Sequence, residues 1–313
     1  MTVSIRQDPT VCAVVVTFQP DPEALTELLL ALLPQVTNIV IVDNSLPSNT
    51  IVEQLLHKLP PERITLIRLR ENFGVAKGLN VGIEWARTQK ADFVLLSDQD
   101  SLPAEDMVDG LLQSYQQVSQ RSVTAAAIGP IFTDIHTGTV FPFQVDIPHK
   151  FFYGHSRPGA EQPEVEALTL ITSGTLVPLP VLDEVGLMRE EFFIDKVDIE
   201  WCLRAKAKGF AIYGTKRARM YQRLGERQLR VWFLSWRNMS AYNPTRVYYQ
   251  VRNFFGLCRL PYISRRWKLR HAWFTFGAAY SQIVFGDQRL EATKMTLKGL
   301  WHGMCGRMGA LRH

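Results

Sequence analysis

Near the start of the chain, seven residues in a row, VCAVVVT (Val11–Thr17), carry no charge and are mostly β-branched. A strand with one wet face alternates polar and apolar side chains, whereas an unbroken apolar run marks a strand covered on both faces. The residues that follow supply one cover. Asp21 stands where a helix N-cap belongs, with Pro22 at the first helical position. Leu25, Leu28, Leu29, Leu32 and Leu33 then recur at i, i+3, i+4, i+7 and i+8, the spacing of an amphipathic helix. The pattern repeats. Asn38–Val42 predicts a second strand, and Ser48–Leu59 a helix with Ile51, Val52, Leu55 and Leu56 inward. Ile64–Leu69 predicts a third strand, Gly74–Thr88 a third helix, and Phe93–Leu96 a fourth strand. Strands separated by helical patterns imply right-handed crossovers and a parallel sheet.

In such sheets ligands bind beyond the carboxyl ends of the strands. The four exits here are Thr17, then Asp43-Asn44-Ser45, then Glu71-Asn72-Phe73-Gly74, then Asp98-Gln99-Asp100. All four are polar, which makes a shared edge site the better account than four strand ends that merely meet water. VTFQPD follows the first strand where a dinucleotide enzyme has GxGxxG and a P-loop protein has GxxxxGK[ST], so both classes are disfavoured. Asp98 and Asp100, one residue apart after an apolar strand, suit a hard cation. Mg²⁺ or Mn²⁺ takes one or two carboxylates and completes its shell with water and substrate phosphates.

Several segments together resemble the nucleotide-sugar glycosyltransferases of family 2, and more narrowly the bacterial rhamnosyltransferases of O-antigen and related surface polysaccharides. They are VVVTFQPD (14–21), IVIVDNS (39–45), ENFGVAKGLNVGIEWA (71–86), DFVLLSDQDSLP (92–103), ITSGTLVP (171–178), FFIDKVDIEWCLRAKAKG (192–209) and YYQVRN (248–253). The resemblance implies the GT-A fold: an α/β protein with a Rossmann-like, mostly parallel sheet flanked by helices. It implies inverting transfer of a sugar, L-rhamnose from dTDP-rhamnose, to a hydroxyl of a growing, lipid-linked glycan. A catalytically silent nucleotide-sugar-binding protein, or a transferase using a UDP-hexose, are the alternatives. Carried over by position, Thr17, Asp43, Asn72, Gly74, Lys77 and Asp98 would contact the donor, although Lys77 can equally be a solvated helix lysine. Asp100 and Asp98 would hold Mg²⁺ or Mn²⁺.

The second unusual stretch is FFIDKVDIEWCLRA (192–205). Read as one helix, it puts Asp195, Asp198 and Cys202 on a single face. Three acids beside so many aromatics raise at least one pKa unless each has a partner. A simpler account has Asp195 capping the helix, while Asp198 and Glu200 pair with Lys196, Arg204 or Lys206. Displacement at an anomeric carbon needs a base for the acceptor hydroxyl, and the family pattern, aligned through Glu200 and Arg204, assigns that role to Asp198, with Asp195 as runner-up. Ser173, Gly174, Asp195 and Glu200 would then lie on the acceptor side. Where family members carry a metal-binding His, ARMYQRLGER (218–227) has Gln222. Gln222 would be a third metal ligand through its carbonyl oxygen, or the nearby Lys216, Arg217, Arg219 and Arg223 would share the charge.

Charge is divided along the chain. Residues 1–203 hold 13 Lys+Arg and 27 Asp+Glu, whereas residues 204–313 hold 22 Lys+Arg and 3 Asp+Glu. A third of the chain so basic calls for an anionic partner or tolerates one. The expected division is a catalytic domain over 1–240, with a nucleotide-sugar half (1–103) and an acceptor half (104–240), and a basic, aromatic-rich helical extension over 241–313. Ala272–Phe285, about 14 residues long, is too short to cross a bilayer. Next to Arg265, Arg266, Trp267, Lys268 and Arg270 it reads as a helix lying on an anionic membrane surface, or else as an appendage packed on the catalytic domain. No nucleic-acid motif accompanies the charge. Four scattered cysteines without a CxxC pair suggest reduced thiols, and MTVSIRQDPT has no apolar signal core. The expected location is cytoplasmic, peripheral on the inner face of the cell membrane.

Overall fold

The computed structural model describes residues 8–57, 59–121, 123–135, 138–147, 149–150, 152–222, 228–232, 236–240 and 242–311, with 228–232 and 236–240 by backbone only. Arg223, one of the basic residues singled out above, lies outside the described residues.

The first hundred residues fold as their pattern predicts. Strand β1 (Val11–Thr17) is followed by α1 (Pro22–Leu32), β2 (Asn38–Asp43), α2 (Ile51–Leu56), β3 (Ile64–Arg68), α3 (Val75–Thr88) and β4 (Phe93–Asp98). Asp21 caps α1 by accepting from the Ala24 amide at 2.8 Å, with Pro22 in the first turn. Every residue of β1 is buried, and its side chains part by alternation. Val11, Ala13 and Val15 meet Leu25, Leu28, Leu29 and Leu32 of α1 in one core. Cys12, Val14 and Val16 meet Leu79 and Ile83 of α3 in another. The unbroken apolar run is therefore two faces read at once.

Beyond β4 the chain adds β5 (Ser101–Pro103), α4 (Met107–Val118), β6 (Ala125–Asp134) and four short strands: β7 (Val140–Phe141), β8 (Phe143–Val145), β9 (Gly154–Ser156) and β10 (Glu164–Glu166). Then come β11 (Thr175–Pro178), α5 (Leu179–Val185), a 3₁₀ turn at Glu190–Phe192, α6 (Val197–Ala207) and β12 (Ala211–Gln222). A hairpin of β13 (Gln228–Trp232) and β14 (Trp236–Ser240) leads to three helices: α7 (Pro244–Cys258), α8 (Arg265–Phe285) and α9 (Arg289–Cys305).

The central sheet runs β10-β12-β6-β11-β4-β1-β2-β3. It is parallel across β4, β1, β2 and β3, as expected. Past β4 it becomes mixed, because β11 enters antiparallel between β4 and β6. That insertion brings residues near 173 under the exit of β4. Strand order reverses between β1 and β4, the place where open α/β sheets form a crevice.

Candidate active site

The carboxyl ends of β1, β2 and β4 lie side by side. Thr17 stands in register with Asp43, and Val16 with Asp98. Asp43 is fully buried; its Oδ1 accepts from the Thr17 hydroxyl at 2.9 Å and from the Ser45 amide at 3.0 Å. Its Oδ2 has no hydrogen bond and lies 3.9 Å from Arg68 Nε. The exit of β3 is tied to that of β2, because Asn44 Oδ1 accepts from the Phe73 amide at 3.2 Å. Asn72 Oδ1 then accepts from the Gly74 amide at 3.0 Å, bending the chain into α3. Gly74 sits at φ +86°, and a Cβ there would lie 2.4 Å from the Phe193 carbonyl oxygen. Glycine is needed at that point for close approach of the 193 loop. Lys77 Nζ is 3.2 Å from Glu190, so in this arrangement it is ion-paired.

The turn after β4 holds the paired acids. Ser173 lies beneath it, fully buried; its hydroxyl donates to Asp98 Oδ2 at 2.7 Å and accepts from the Asp98 amide at 3.1 Å. Ser101 Oγ is a further 3.0 Å from Ser173 Oγ. Gly174, at φ +75°, donates its amide to Leu96 O at 2.8 Å, and a Cβ there would press on Pro130 at 2.6 Å. Ser173 and Gly174 were expected on the acceptor side. Buried as Ser173 is, it positions Asp98 and reaches no acceptor. Asp100 is exposed. Burial raises the Asp98 pKa and the neighbouring Asp100 charge raises it further, against the Ser173 hydrogen bond and Arg246.

The expected helix through Asp195, Asp198 and Cys202 begins later than drawn. Asp195 (φ +63°) and Lys196 (φ +62°) are left-handed, and α6 starts at Val197. Asp195 is therefore outside the helix, its carboxylate bound through both oxygens by Arg246 Nε at 3.2 Å each. What holds this backbone is Asn253 of α7, whose Nδ2 donates to Phe192 O at 3.0 Å, Ile194 O at 2.7 Å and Asp195 O at 2.8 Å. Asp198 lies in the first turn of α6, half-buried. Burial, with the charges of Asp98 and Asp195 nearby, pushes its pKa up to about 6. Lys196 is pulled below the usual lysine range by burial, against the attraction of Asp195 and Asp198.

Glu200 was also expected on the acceptor side, and the structure places it elsewhere. It is fully buried, its Oε1 2.8 Å from Arg204 Nε, and it also accepts from the Tyr262 hydroxyl. A sealed carboxylate of this kind anchors α6. Gln222 closes β12 in register with Ser101, beside the paired-acid turn. Arg217 is committed to Glu164 at 3.0 Å, at a distance from that turn along the strand.

Asp98, Asp100, Asp195 and Asp198 thus gather at one end of the sheet with Arg246 and Lys196 among them. Sequence reading named Lys196 as a partner for these acids but missed Arg246, and it assigned no role to the Arg252-Asn253 pair, although the YYQVRN segment had marked the place. An apolar pocket including Leu96, Leu170, Ile171, Val197 and Trp201 opens beside Asp198. The donors on the turn are hard carboxylate oxygens that repel one another, and such a pair fits Mg²⁺ or Mn²⁺. Among the described residues no group of three His, Cys, Asp or Glu could hold a metal. A cation here would rest on Asp98 and Asp100, with Gln222 the adjacent neutral oxygen donor and the ligand's own phosphates completing the shell.

Part of the chain matches a known family. The family model "Glycosyl transferase family 2" matches residues 12–137, which run from β1 through the paired-acid turn into β6. A "dTDP-rhamnosyl transferase RfbF" of Shigella flexneri is 28% identical over 303 residues, 96% of this chain and 97% of that protein. Among solved structures, GalNAc-T7 with UDP, GalNAc and Mn²⁺ is similar at a TM-score of 0.56 and 12% identity, over 88% of this chain and 58% of that one. S. aureus TarS is similar at a TM-score of 0.54 and 15% identity, over 95% of this chain and 49% of that one. The chain spans about half the length of these two, and they speak for the fold alone. The matched domain and the match along the whole chain lead to one conclusion: residues 12–137 carry a glycosyltransferase family 2 domain, and the chain as a whole is similar to a rhamnosyltransferase.

Proposed function

We propose that the protein moves L-rhamnose from dTDP-L-rhamnose to a hydroxyl of a growing, lipid-linked surface polysaccharide, with inversion at the anomeric carbon. The observation that carries this reading is the meeting of Asp98 and Asp100, from the exit of β4, with Asp198 at the start of α6, its pKa raised to about 6. The donor would lie along the edge formed by Thr17, Asp43, Asn72 and Gly74, with its diphosphate over the turn of Asp98 and Asp100. Bound there, Mg²⁺ or Mn²⁺ would neutralise charge on the departing diphosphate. Asp198 takes the proton of the acceptor hydroxyl while that oxygen bonds to the anomeric carbon from the face opposite the diphosphate. The bond from anomeric carbon to phosphate oxygen breaks, and dTDP leaves with the electron pair. Arg246 holds Asp195 by both carboxylate oxygens, whereas Asp198 accepts from the Ile199 backbone amide at 2.8 Å, which is why Asp198 is the better base. The likeness to a dTDP-rhamnosyl transferase along nearly the whole of both chains supports the choice of donor.

The basic extension supports a peripheral place at the inner face of the cell membrane, where a lipid-linked acceptor would be met. The test is turnover of dTDP-rhamnose and of UDP-hexoses by wild type and Asp198→Asn. Loss of a general base costs about 10²- to 10⁴-fold in rate, and nucleotide affinity should survive. NMR of the product gives its anomeric configuration. Full activity in the Asn variant would sink the assignment of the base, and preference for a UDP-hexose would sink that of the donor.

A further inference from the structure

Helices α8 and α9 are built inside out. On α8 the exposed positions recur as Arg265, Leu269, Trp273, Phe276, Tyr280 and Val284, at steps of four, four, three, four and four. On α9 they recur as Leu290, Lys294, Leu297, Trp301 and Met304, at steps of four, three, four and three. Each series is one helix face. The buried face of α8 is largely polar and that of α9 is made of small residues. Arg270, Thr275, Ser281 and Gln282 of α8 are buried beside Trp267 and Ala279, and α9 buries Ala292, Thr296, Gly299 and Gly303. A helix packed on a water-soluble domain has the reverse pattern. Leu290 is 80% exposed and Leu269 66%, so the outer stripes are open to whatever covers them.

We infer that the outer faces of α8 and α9 are the surface by which the protein docks on an anionic bilayer, a refinement that rests on the peripheral reading above. Charge decides between occupants. The 21 residues of α8 contain no Asp or Glu, while Arg265 and Lys268 stand at its start beside Arg266, which pairs with Asp146, and Arg270, which is buried; α9 adds Arg289, Lys294 and Lys298 against one Glu. A second copy pressed on this face would bring like charges together, whereas anionic headgroups would meet them. Two tryptophans and a tyrosine along the stripes suit the headgroup boundary. No helix among the described residues is long and apolar enough to cross a membrane, so the helices would lie in the surface plane. Gly299 and Gly303 bring α9 close against α7, where a Cβ would lie 2.8 Å from Tyr248 O and 2.7 Å from the Phe255 ring. The docking face is thereby fixed to the helix that carries Arg246 and Asn253.

Flotation of the full-length protein with phosphatidylcholine vesicles, alone or with phosphatidylglycerol, tests this. We expect binding to the anionic vesicles, weakened by salt, and about tenfold or greater loss in Leu269→Ser/Leu297→Ser/Trp301→Ser. Lys294→Glu/Lys298→Glu should lose several-fold affinity for the anionic vesicles. Both variants should keep the wild-type circular dichroism and dTDP-rhamnose hydrolysis. Absence of vesicle binding by the wild type would overturn the inference while leaving the transfer reaction standing. So would a wild-type dimer in light scattering that the triple variant abolishes, since the face would then join two copies. Asp198→Asn should bind vesicles as wild type does.

Discussion

At the scale of single residues, Asp198 ties activity and stability to pH in opposite senses. Its pKa rises from 3.8 to about 6 through burial and the charges of Asp98 and Asp195. Between those values the folded state holds a proton that the unfolded chain releases, so stability falls as pH rises through the window. Above it the ionised carboxylate costs about 3 kcal/mol. Asp198→Asn should therefore melt higher than wild type near pH 8 and lose that advantage near pH 4, as calorimetry would show. Catalysis runs the other way, since the base must be ionised: kcat/KM should climb with pH to a half-point near 6. A profile flat from pH 5 to 8 would remove Asp198 as the base. Ser173 gives a second case. Ser173→Ala removes the one hydrogen bond that opposes the raised pKa of Asp98. Titration calorimetry should then show dTDP affinity in Mn²⁺ falling about five- to tenfold, with little change under chelator. Equal loss with and without the metal would mean that Ser173 only supports the fold. Asp98 and Asp100 were legible as acids at the exit of an apolar strand, and Asp198 was picked out by the family pattern aligned through Glu200 and Arg204. The burial of Ser173 was not, since it depends on β11 entering the sheet antiparallel, 75 residues away.

Among elements, α3 shows what local pattern can reveal and where it stops. Its apolar period was plain from the sequence, and so was Gly74 at its start. What Gly74 meets was not: the 193 loop crosses directly over it, so a side chain has neither the backbone angle nor the space. Gly74→Ala should destabilise the protein by about 2–4 kcal/mol, combining strain at positive φ with a clash against backbone. Because the loop it displaces precedes Asp195 and Asp198, kcat should fall along with the denaturation midpoint. Glycine 78, in the same helix, offers a comparison. A Cβ there would meet the Val16 side chain at 2.7 Å rather than backbone, and its φ is ordinary. Gly78→Ala should cost less stability and less kcat. α6 illustrates the opposite limit. Its sequence reads as helical from Asp195 onward, yet two left-handed residues delay its start, because the carbonyls just before them are already held by Asn253. No local signal encodes a partner 58 residues downstream.

For the whole molecule, the question is whether the basic extension is an appendage or part of the catalytic machinery. Charge alone made it look separable, and the membrane face proposed on α8 and α9 fits that view. The contacts of α7 do not. Arg252 is fully buried with its Nη2 2.9 Å from Phe192 O, and it also donates to Gly309 O. Its guanidinium lies 4.8 Å from the Tyr249 ring, which itself stacks on Phe193. Asn253 takes the carbonyls of Phe192, Ile194 and Asp195 in the loop before α6, and Arg246 takes the Asp195 carboxylate. One face of α7 thus supplies the frame that aims the candidate base. Asn253→Ala leaves those three buried carbonyls short of a donor, at about 1–3 kcal/mol for the cluster. Its effect on kcat should exceed its effect on donor KM, because the edge formed by Thr17 and Asp43 is untouched. Removal of residues 265–313 should abolish vesicle binding and, by stripping α9 from α7, lower turnover even toward a water-soluble acceptor. Asn253→Asp is the sharper probe: similar in shape, it places a carboxylate against carbonyl oxygens near Asp195 and should lose more than Ala does. If Asn253→Ala kept full kcat while the truncated protein lost only vesicle binding, the extension would be a membrane anchor and nothing more.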